Sequence, residues 1–304
     1  MSTRTTLLAL LLAALLPLTA FAQEEDEPLT EADGWQSSLV GTLAGSQAAY
    51  DNWAEGGINS IAFTAQADGL FQRVNGAFLQ VHEFRGAFGQ VKQDDVDWRK
   101  AVDQLRYAFN LQYQGTGDWQ PTFVFEARSQ FAPGIVFDAA PADFPILLAG
   151  QTENVAELKT SDFLSPAYLT QALGVTYDRG AWYRARLGLG LRQTIVAIER
   201  LQPVYGNDPG SAVRLEAGVD ALLQARRQIA ENVLLTSRLS AFYSFSETDA
   251  APDFLWENAI VMKVNDFLNV TLEGALQYDR NFSEDLQLKQ VLSVGVSYAL
   301  IGAE

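Results

Sequence analysis

Hydrophobic and polar residues alternate with a period of two along most of the chain after residue 35. In segment 105–113, Leu105, Tyr107 and Phe109 share one parity, while Arg106 and Asn110 take the other. Successive side chains of a β-strand point to opposite faces, so this segment has one apolar face and one polar face. The same separation recurs at 268–278. Strands that separate an apolar medium from a wet one are typical of a transmembrane β-barrel.

The alternation predicts twelve strands, at residues 37–50, 58–74, 77–88, 101–114, 118–131, 166–178, 181–196, 212–226, 231–245, 254–264, 267–278 and 288–300. The links between them alternate in length. Short links lie at 75–76, 115–117, 179–180, just before 231 and at 265–266, and long links lie at 51–57, 89–100, 132–165, 197–211, 246–253 and 279–287. Outer-membrane barrels keep short periplasmic turns and long outer loops. The predicted fold class is therefore all-β: a single antiparallel up-and-down transmembrane β-barrel of about 12 strands, with both termini in the periplasm.

Turn chemistry supports the short links. The Asn75-Gly76 pair favours the positive φ angles of a type I′ hairpin. The sequence therefore predicts a tight hairpin at this point.

The first residues resemble a secretory signal. Arg4 precedes an apolar run at 7–18, and Ala20-Phe21-Ala22 provides the small residues of a cleavage site. We therefore predict a cleaved signal at 1–22, an acidic disordered leader at 23–34 and the barrel at 35–304. After residue 22 the sequence has no apolar run of about eighteen residues, so a helical inner-membrane protein is not expected.

Charge and composition exclude several classes. The formal net charge is −16, whereas a nucleic-acid-binding protein would need a basic footprint. The absence of cysteine excludes disulfides, thiolate metal sites and a lipoprotein anchor. Asp94, Asp95 and Asp97 lack the spaced ligand pattern of a calcium loop, and we interpret them as a solvated acidic loop. No metal and no cofactor are expected.

Several sequence words, spread in order over the chain, resemble a known family. They are NWAEGGINS at 52–60, FAPG at 131–134, SDFLSPAYL at 161–169, ENVLL at 231–235 and WENAIVMKVNDFLNVTL at 256–272. Together they resemble a family of outer-membrane barrels classified as domain of unknown function 3078 (DUF3078). The resemblance implies a barrel in the outer membrane of a Gram-negative bacterium. It implies no activity, because the family has none assigned.

The last strand resembles the assembly signal of outer-membrane barrels. Ser293, Gly295, Tyr298 and Leu300 have its spacing of polar, glycine, aromatic and apolar residues, although the chain continues to Glu304 instead of ending on an aromatic residue. The expected partners are accordingly a lipid bilayer and, during insertion, the barrel-assembly machinery. Localisation in the cell outer membrane follows from the same reading.

The inward parity of the predicted strands carries many charges. It contains eight cations and five anions: Arg106, Arg128, Arg184, Arg186, Arg192, Arg214, Arg238 and Lys263, with Glu126, Glu216, Asp220, Glu257 and Glu273. Arg184 and Arg186 point the same way on one strand, so they need carboxylates from neighbouring strands or a solute. Two interpretations stay open for these lumen-lining candidates. One is a salt-bridged plug that closes the barrel, and the other is an Arg-rich lining of a narrow channel for small anionic solutes.

His82 is the only histidine, so a Ser/His hydrolase would have to be built on it. Its strand has no clean apolar face, and the sequence does not assign His82 to either side of the wall. We predict that the protein is not an enzyme and has no catalytic residues. The alternatives are a membrane-embedded lipid hydrolase that uses His82, or a docking barrel whose long loops hold an envelope partner.

Overall fold

Fourteen β-strands account for most of the residues that the computed structural model describes, which are 34–49, 59–94, 96–178, 182–246, 252–280 and 283–301. The strands are β1 (Gly34–Ala48), β2 (Ser60–Asn75), β3 (Phe78–Gln93), β4 (Val96–Tyr113), β5 (Trp119–Ser129), β6 (Gly134–Ala139), β7 (Val155–Ser161), β8 (Ala167–Tyr177), β9 (Tyr183–Ile195), β10 (Val213–Ala230), β11 (Val233–Ser244), β12 (Asp253–Lys263), β13 (Leu268–Asp279) and β14 (Ser283–Ile301). The predicted signal and all but the last residue of the predicted acidic leader lie outside the described residues, as does the predicted loop at 51–57.

Pairing of the first and last strands closes the sheet. In the antiparallel ladder between β1 and β14, Gly41 lies opposite Tyr298. The order around the wall is β1, β14, β13, β12, β11, β10, β9, β8, β5, β4, β3 and β2. The predicted closed antiparallel barrel of twelve strands is therefore confirmed, and closure leaves no barrel strand with an unpaired edge.

The outer wall is apolar and the inner wall is polar. On β9, Leu187, Leu189 and Leu191 are 55%, 66% and 45% exposed, whereas Arg186 and Arg192, which flank this run, are buried. A monomer in water rarely exposes a continuous apolar belt of this kind. The outer wall therefore has the chemistry that faces lipid in a transmembrane barrel.

Glycines on β8, β9 and β10 allow very close approach between strands. A Cβ atom added at Gly174 would lie 2.2 Å from the carbonyl oxygen of Leu187, and one added at Gly218 would lie 2.2 Å from that of Tyr243. Both contacts are to backbone, which cannot swing away. These positions therefore require glycine.

The connection predicted at 89–100 is wrong. Strands β3 and β4 continue through most of it and leave a tight turn that includes Asp94, whose φ is 43°. These segments contain few apolar residues, such as Val91 on β3 and Val96 and Trp98 on β4, so the alternation there is too short to identify a strand. For a similar reason β14 begins at Ser283, five residues before its predicted start.

Two of the long links are folded. The link after β5 contains the hairpin of β6 and β7, which pair only with each other among the described strands. The link after β9 contains a 3₁₀ helix, Glu199–Tyr205. Neither element was predicted from the sequence.

The hairpin between β2 and β3 is tight, as predicted, but its turn differs. Asn75 pairs with Phe78, so Gly76 and Ala77 form the two-residue loop. Gly76 has a φ of 57°, and Asn75 is not among the residues with positive φ. A glycine at the first central position is the feature of a type II′ turn, not of the predicted type I′.

No helix in the described part of the chain is long and apolar enough to cross a membrane.

Candidate functional site: the barrel interior

His82 lies on the outer face of the wall, opposite Phe71 on β2 and Phe109 on β4. Its Nδ1 atom is 2.8 Å from the hydroxyl oxygen of Tyr107, and the rings of Trp35 and Phe109 flank it at 5.7 Å and 4.9 Å between centroids. None of these neighbours is a serine or a carboxylate. The geometry therefore gives His82 neither the nucleophile nor the orienting acid that a hydrolase needs among these contacts.

Glu126 on β5 is the centre of a group of interior charges. Nη2 of Arg238 lies 2.5 Å from its Oε2 atom, Nη2 of Arg106 lies 3.3 Å from the same oxygen, and Nε of Arg128 lies 3.6 Å from Oε1. Arg238 is on β11, and β10, β9 and β8 separate that strand from β5. Side chains from strands so far apart around a closed wall can meet only across the interior.

Further ion pairs fill the same side of the barrel. Arg186 lies 2.7 Å from Asp220 on the neighbouring strand, and these two side chains are only 7% and 9% exposed. Arg192 on β9 reaches Asp253 on β12 at 2.5 Å. Buried charges of this kind are tolerated only when they are paired and hydrogen-bonded.

The remaining predicted lumen candidates lie at the two ends of the barrel and on its less filled side. Arg214 lies 2.9 Å from Glu216, and Arg184 lies 2.7 Å from Asp178. Glu257 accepts a hydrogen bond from Gln104 at 3.4 Å. Lys263 is exposed at the end of β12, beside a short turn. Glu273 pairs with Arg85 at 2.6 Å.

The sequence-based count of eight cations against five anions missed several partners. Arg85, Asp68, Glu83, Asp178 and Asp253 all take part in ion pairs with the predicted residues or with one another. Each of the seven predicted arginines has a carboxylate oxygen within 4 Å. The excess of positive charge on which an anion-preferring lumen was predicted is therefore offset in the structure.

The missed residues had weak sequence signals. Glu83 and Arg85 lie on β3, where both parities mix apolar and polar residues. Asp178 and Asp253 lie at strand ends, where alternation no longer distinguishes the two faces. Their partners identify them, and partners on distant strands are not encoded in local periodicity.

The interior is filled unevenly. Inward side chains on the side of β9 and β10 are buried, among them Arg186, Thr194, Glu216 and Leu222. Inward side chains on β1 and β2 are partly exposed throughout, and Leu70 is 38% exposed although it lies on the inner face. In a closed barrel an inward side chain can be exposed only to space inside the wall. Free space therefore lies along β1, β2 and the adjoining part of β13 and β14.

Two small cavities lie on the packed side. One of about 60 Å³ is lined by Arg192, Asp253, Tyr278 and other side chains, and a second of about 10 Å³ lies beside Glu126 and Arg186. The second is at the lower limit for holding one water molecule. This side is therefore a wall of packed charges.

The two folded links pack together at the long-loop end. Leu147 contacts both a cluster of Ala139, Leu148 and Leu158 and a cluster of Val196, Leu201 and Tyr205. The hydroxyl of Tyr205 donates a hydrogen bond to the carbonyl of Thr160 at 2.9 Å, and burial raises the pKa of Tyr205 to about 12. This end of the barrel thus carries an ordered apolar core of its own.

The described residues contain no group of three or more histidine, cysteine or acidic side chains arranged to hold a metal ion.

Several solved structures are similar to this chain at low sequence identity. The translocator domain of the autotransporter NalP from Neisseria meningitidis is 10% identical, with coverage of 97% of this chain and 95% of that chain and a TM-score of 0.35. An outer membrane channel from Pseudomonas putida F1 is 11% identical, with coverage of 91% and 99% and a TM-score of 0.38. The Pseudomonas putida toluene transporter TodX is 11% identical, with coverage of 88% and 90% and a TM-score of 0.30.

No curated protein gave a significant match to the sequence. Residues 46–135, which contain β2 to β5, match the family model described as "Protein of unknown function (DUF3078)", and this match confirms the family resemblance over that part of the chain.

Proposed function

We propose that this protein is a non-enzymatic barrel of the Gram-negative outer membrane and holds a narrow solute channel along one side of its interior. The exposed leucine belt on the outer wall supports the membrane location. The observation that supports the channel is that the interior is filled unevenly. Side chains near β9 and β10 are packed, whereas free space lies along β1 and β2.

Two inward leucines on opposite sides of the barrel differ in exposure, and this difference supports the open side. Leu70 on β2 and Leu222 on β10 both lie on the inner face, and they are 38% and 6% exposed. Farther along the same side, hydroxyl and amide groups lie on the inner face of β1, β13 and β14: Thr42 Oγ1 lies 2.8 Å from Ser297 Oγ, and Asn269 donates to Ser297 at 2.7 Å. A path lined in this way suits small polar solutes.

The carboxylate partners of the lumen arginines affect which ions the channel should prefer. Because each predicted lumen arginine has a carboxylate partner, the channel wall offers anions less attraction than the sequence-based count implies. Preference for small anions stays a prediction, and a reversal potential measured in a salt gradient would test it. A closed structural barrel is the competing outcome.

The absence of cysteine from the chain permits a clean test. Leu70→Cys would place a thiol on the proposed path, and Leu222→Cys would place one on the packed side. We expect single-channel conductance of the refolded wild type in planar bilayers. A bulky thiol reagent should reduce the current through the Leu70→Cys variant and leave that of Leu222→Cys unchanged.

Two results would contradict the proposal. A wild type that inserts but conducts no current would favour the closed structural barrel. Equal modification of the two cysteines would show that the path does not follow β2.

A further inference from the structure

A chain of charged side chains crosses the open side of the barrel. Nη2 of Arg85 on β3 lies 2.6 Å from Oε1 of Glu273 on β13. Strands β2, β1 and β14 separate β3 from β13 around the wall. The two side chains therefore meet in front of the strands that border the free space.

Asp68 completes this group. Its Oδ1 atom lies 3.8 Å from Nε of Arg85, and its other carboxylate oxygen accepts a hydrogen bond from Gln66. Gln66 in turn accepts a hydrogen bond from Nη2 of Arg85 at 3.2 Å. We call Asp68, Arg85 and Glu273 the strut.

The strut is more exposed to water than the ion pair that crosses the packed side. The side chains of Arg85 and Glu273 are 31% and 30% exposed, and that of Asp68 is 42% exposed. The side chains of Arg238 and Glu126, which cross the packed side, are 11% and 16% exposed. A solute on the open side would therefore meet the charges of the strut and not those of the packed side.

We propose that the strut is the constriction of the channel and the group that sets its charge selectivity. This inference rests on the proposed channel. Charges that line a narrow passage with a low-dielectric wall act strongly on a permeating ion, because the wall focuses their field. Lys289 lies exposed on β14, one inward position from the level of Glu273. Its positive charge is the same in the wild type and in every variant of the strut. The diagnostic quantity is therefore the change in selectivity when one charge of the strut is removed.

Two variants of the strut should shift selectivity in opposite directions. Arg85→Ser removes a positive charge and Glu273→Ser removes a negative one, and each cuts the contact between β3 and β13. We expect both to raise the conductance. The cation-to-anion permeability ratio should rise in Arg85→Ser and fall in Glu273→Ser, each by roughly thirtyfold. One charge about 4 Å from an ion in water changes the occupancy by about fivefold, and it does so in opposite directions for a cation and an anion.

The control is the same substitution on the outer face. The guanidinium of Arg227 lies 5.5 Å from the ring centre of Trp182, beside a short turn. Arg227→Ser removes the same charge from the chain and should leave conductance and permeability ratio unchanged. Heat-modifiable mobility on gels would verify that all three variants fold.

The possible outcomes separate the strut from the channel. Opposite shifts of the two variants support the strut as the constriction. The wild type could conduct and Leu70→Cys be blocked while neither strut variant changes the permeability ratio. In that case the strut is not the constriction, and the proposed channel remains supported. Absence of current in the wild type overturns the channel and the strut together.

Discussion

The guanidinium of Arg238 on β11 lies 2.5 Å from the carboxylate of Glu126 on β5, although three strands of the barrel wall separate β11 from β5. Arg106 and Arg128 share the same carboxylate. One acidic side chain therefore holds together cations from β4, β5 and β11. Its removal would leave these cations on the packed side without the partner that they share.

Glu126→Gln should destabilise the barrel. Breaking a buried ion pair by removing one partner costs about 3–5 kcal/mol, because the remaining charges stay uncompensated. We expect a loss of this order in the free energy of unfolding, measured by urea titration in lipid vesicles. Glu157→Gln, on the exposed side of β7, is the control and should have almost no effect. Equal stability of the two variants would contradict a structural role for the shared carboxylate.

Leu272→Arg should impair membrane insertion more than Thr271→Arg. Leu272 faces outward opposite Leu292, which is 65% exposed, whereas Thr271 faces inward and its hydroxyl donates to Asn269. A charge near the bilayer midplane on the lipid face costs about 2–4 kcal/mol. The yield of folded barrel in vesicles measures the difference. If the two variants insert equally well, the assignment of the two faces is wrong.

Gly218→Ala should reduce folding, whereas Gly274→Ala should not. The added Cβ at 218 would lie 2.2 Å from the carbonyl oxygen of Tyr243, and that at 274 meets no atom within 4 Å. Overpacking of this kind costs typically about 1–3 kcal/mol. The free energy of unfolding of the two variants provides the comparison, and a similar value for both would contradict the close approach of β10 and β11.

The link between β6 and β7 should be open to protease from outside the cell. Residues 149–154 are exposed, and Glu153 gives a glutamate-specific protease a single defined site there. We expect cleavage at Glu153 in intact cells. The short turn at Gly76 should stay intact against proteases added outside. Cleavage at the short turns alone would reverse the predicted orientation.

The purified protein should release no fatty acid from phospholipid, with or without calcium. His82 contacts Tyr107, Trp35 and Phe109 on the outer face, and these contacts provide no nucleophile for it to activate. A titration of released fatty acid would measure this. Activity that is present in the wild type and lost in His82→Ala would instead support the hydrolase alternative.

Sequence alone determined the barrel. Alternation such as that of Leu105 and Arg106 depends only on the two-residue repeat of a strand, so it is readable without knowledge of any neighbour. It predicted twelve strands, and the structure closes twelve into one barrel. The signal weakened where apolar residues were few, which is why the ends of β3, β4 and β14 were missed. It also weakened where both faces mixed polar and apolar residues, which is why the side of His82 was left open.

Tertiary structure alone decided how the interior charges are arranged. Arg238 and Glu126 are 112 residues apart, and Arg85 and Glu273 are 188 apart, so nothing in the local sequence links them. Closure of the wall and the register of each ladder bring such pairs to the same height across the lumen. The same closure crowds inward side chains near β9 and β10 and leaves those of β1 and β2 in open space, because how fully a barrel is filled depends on which side chains face each other across it.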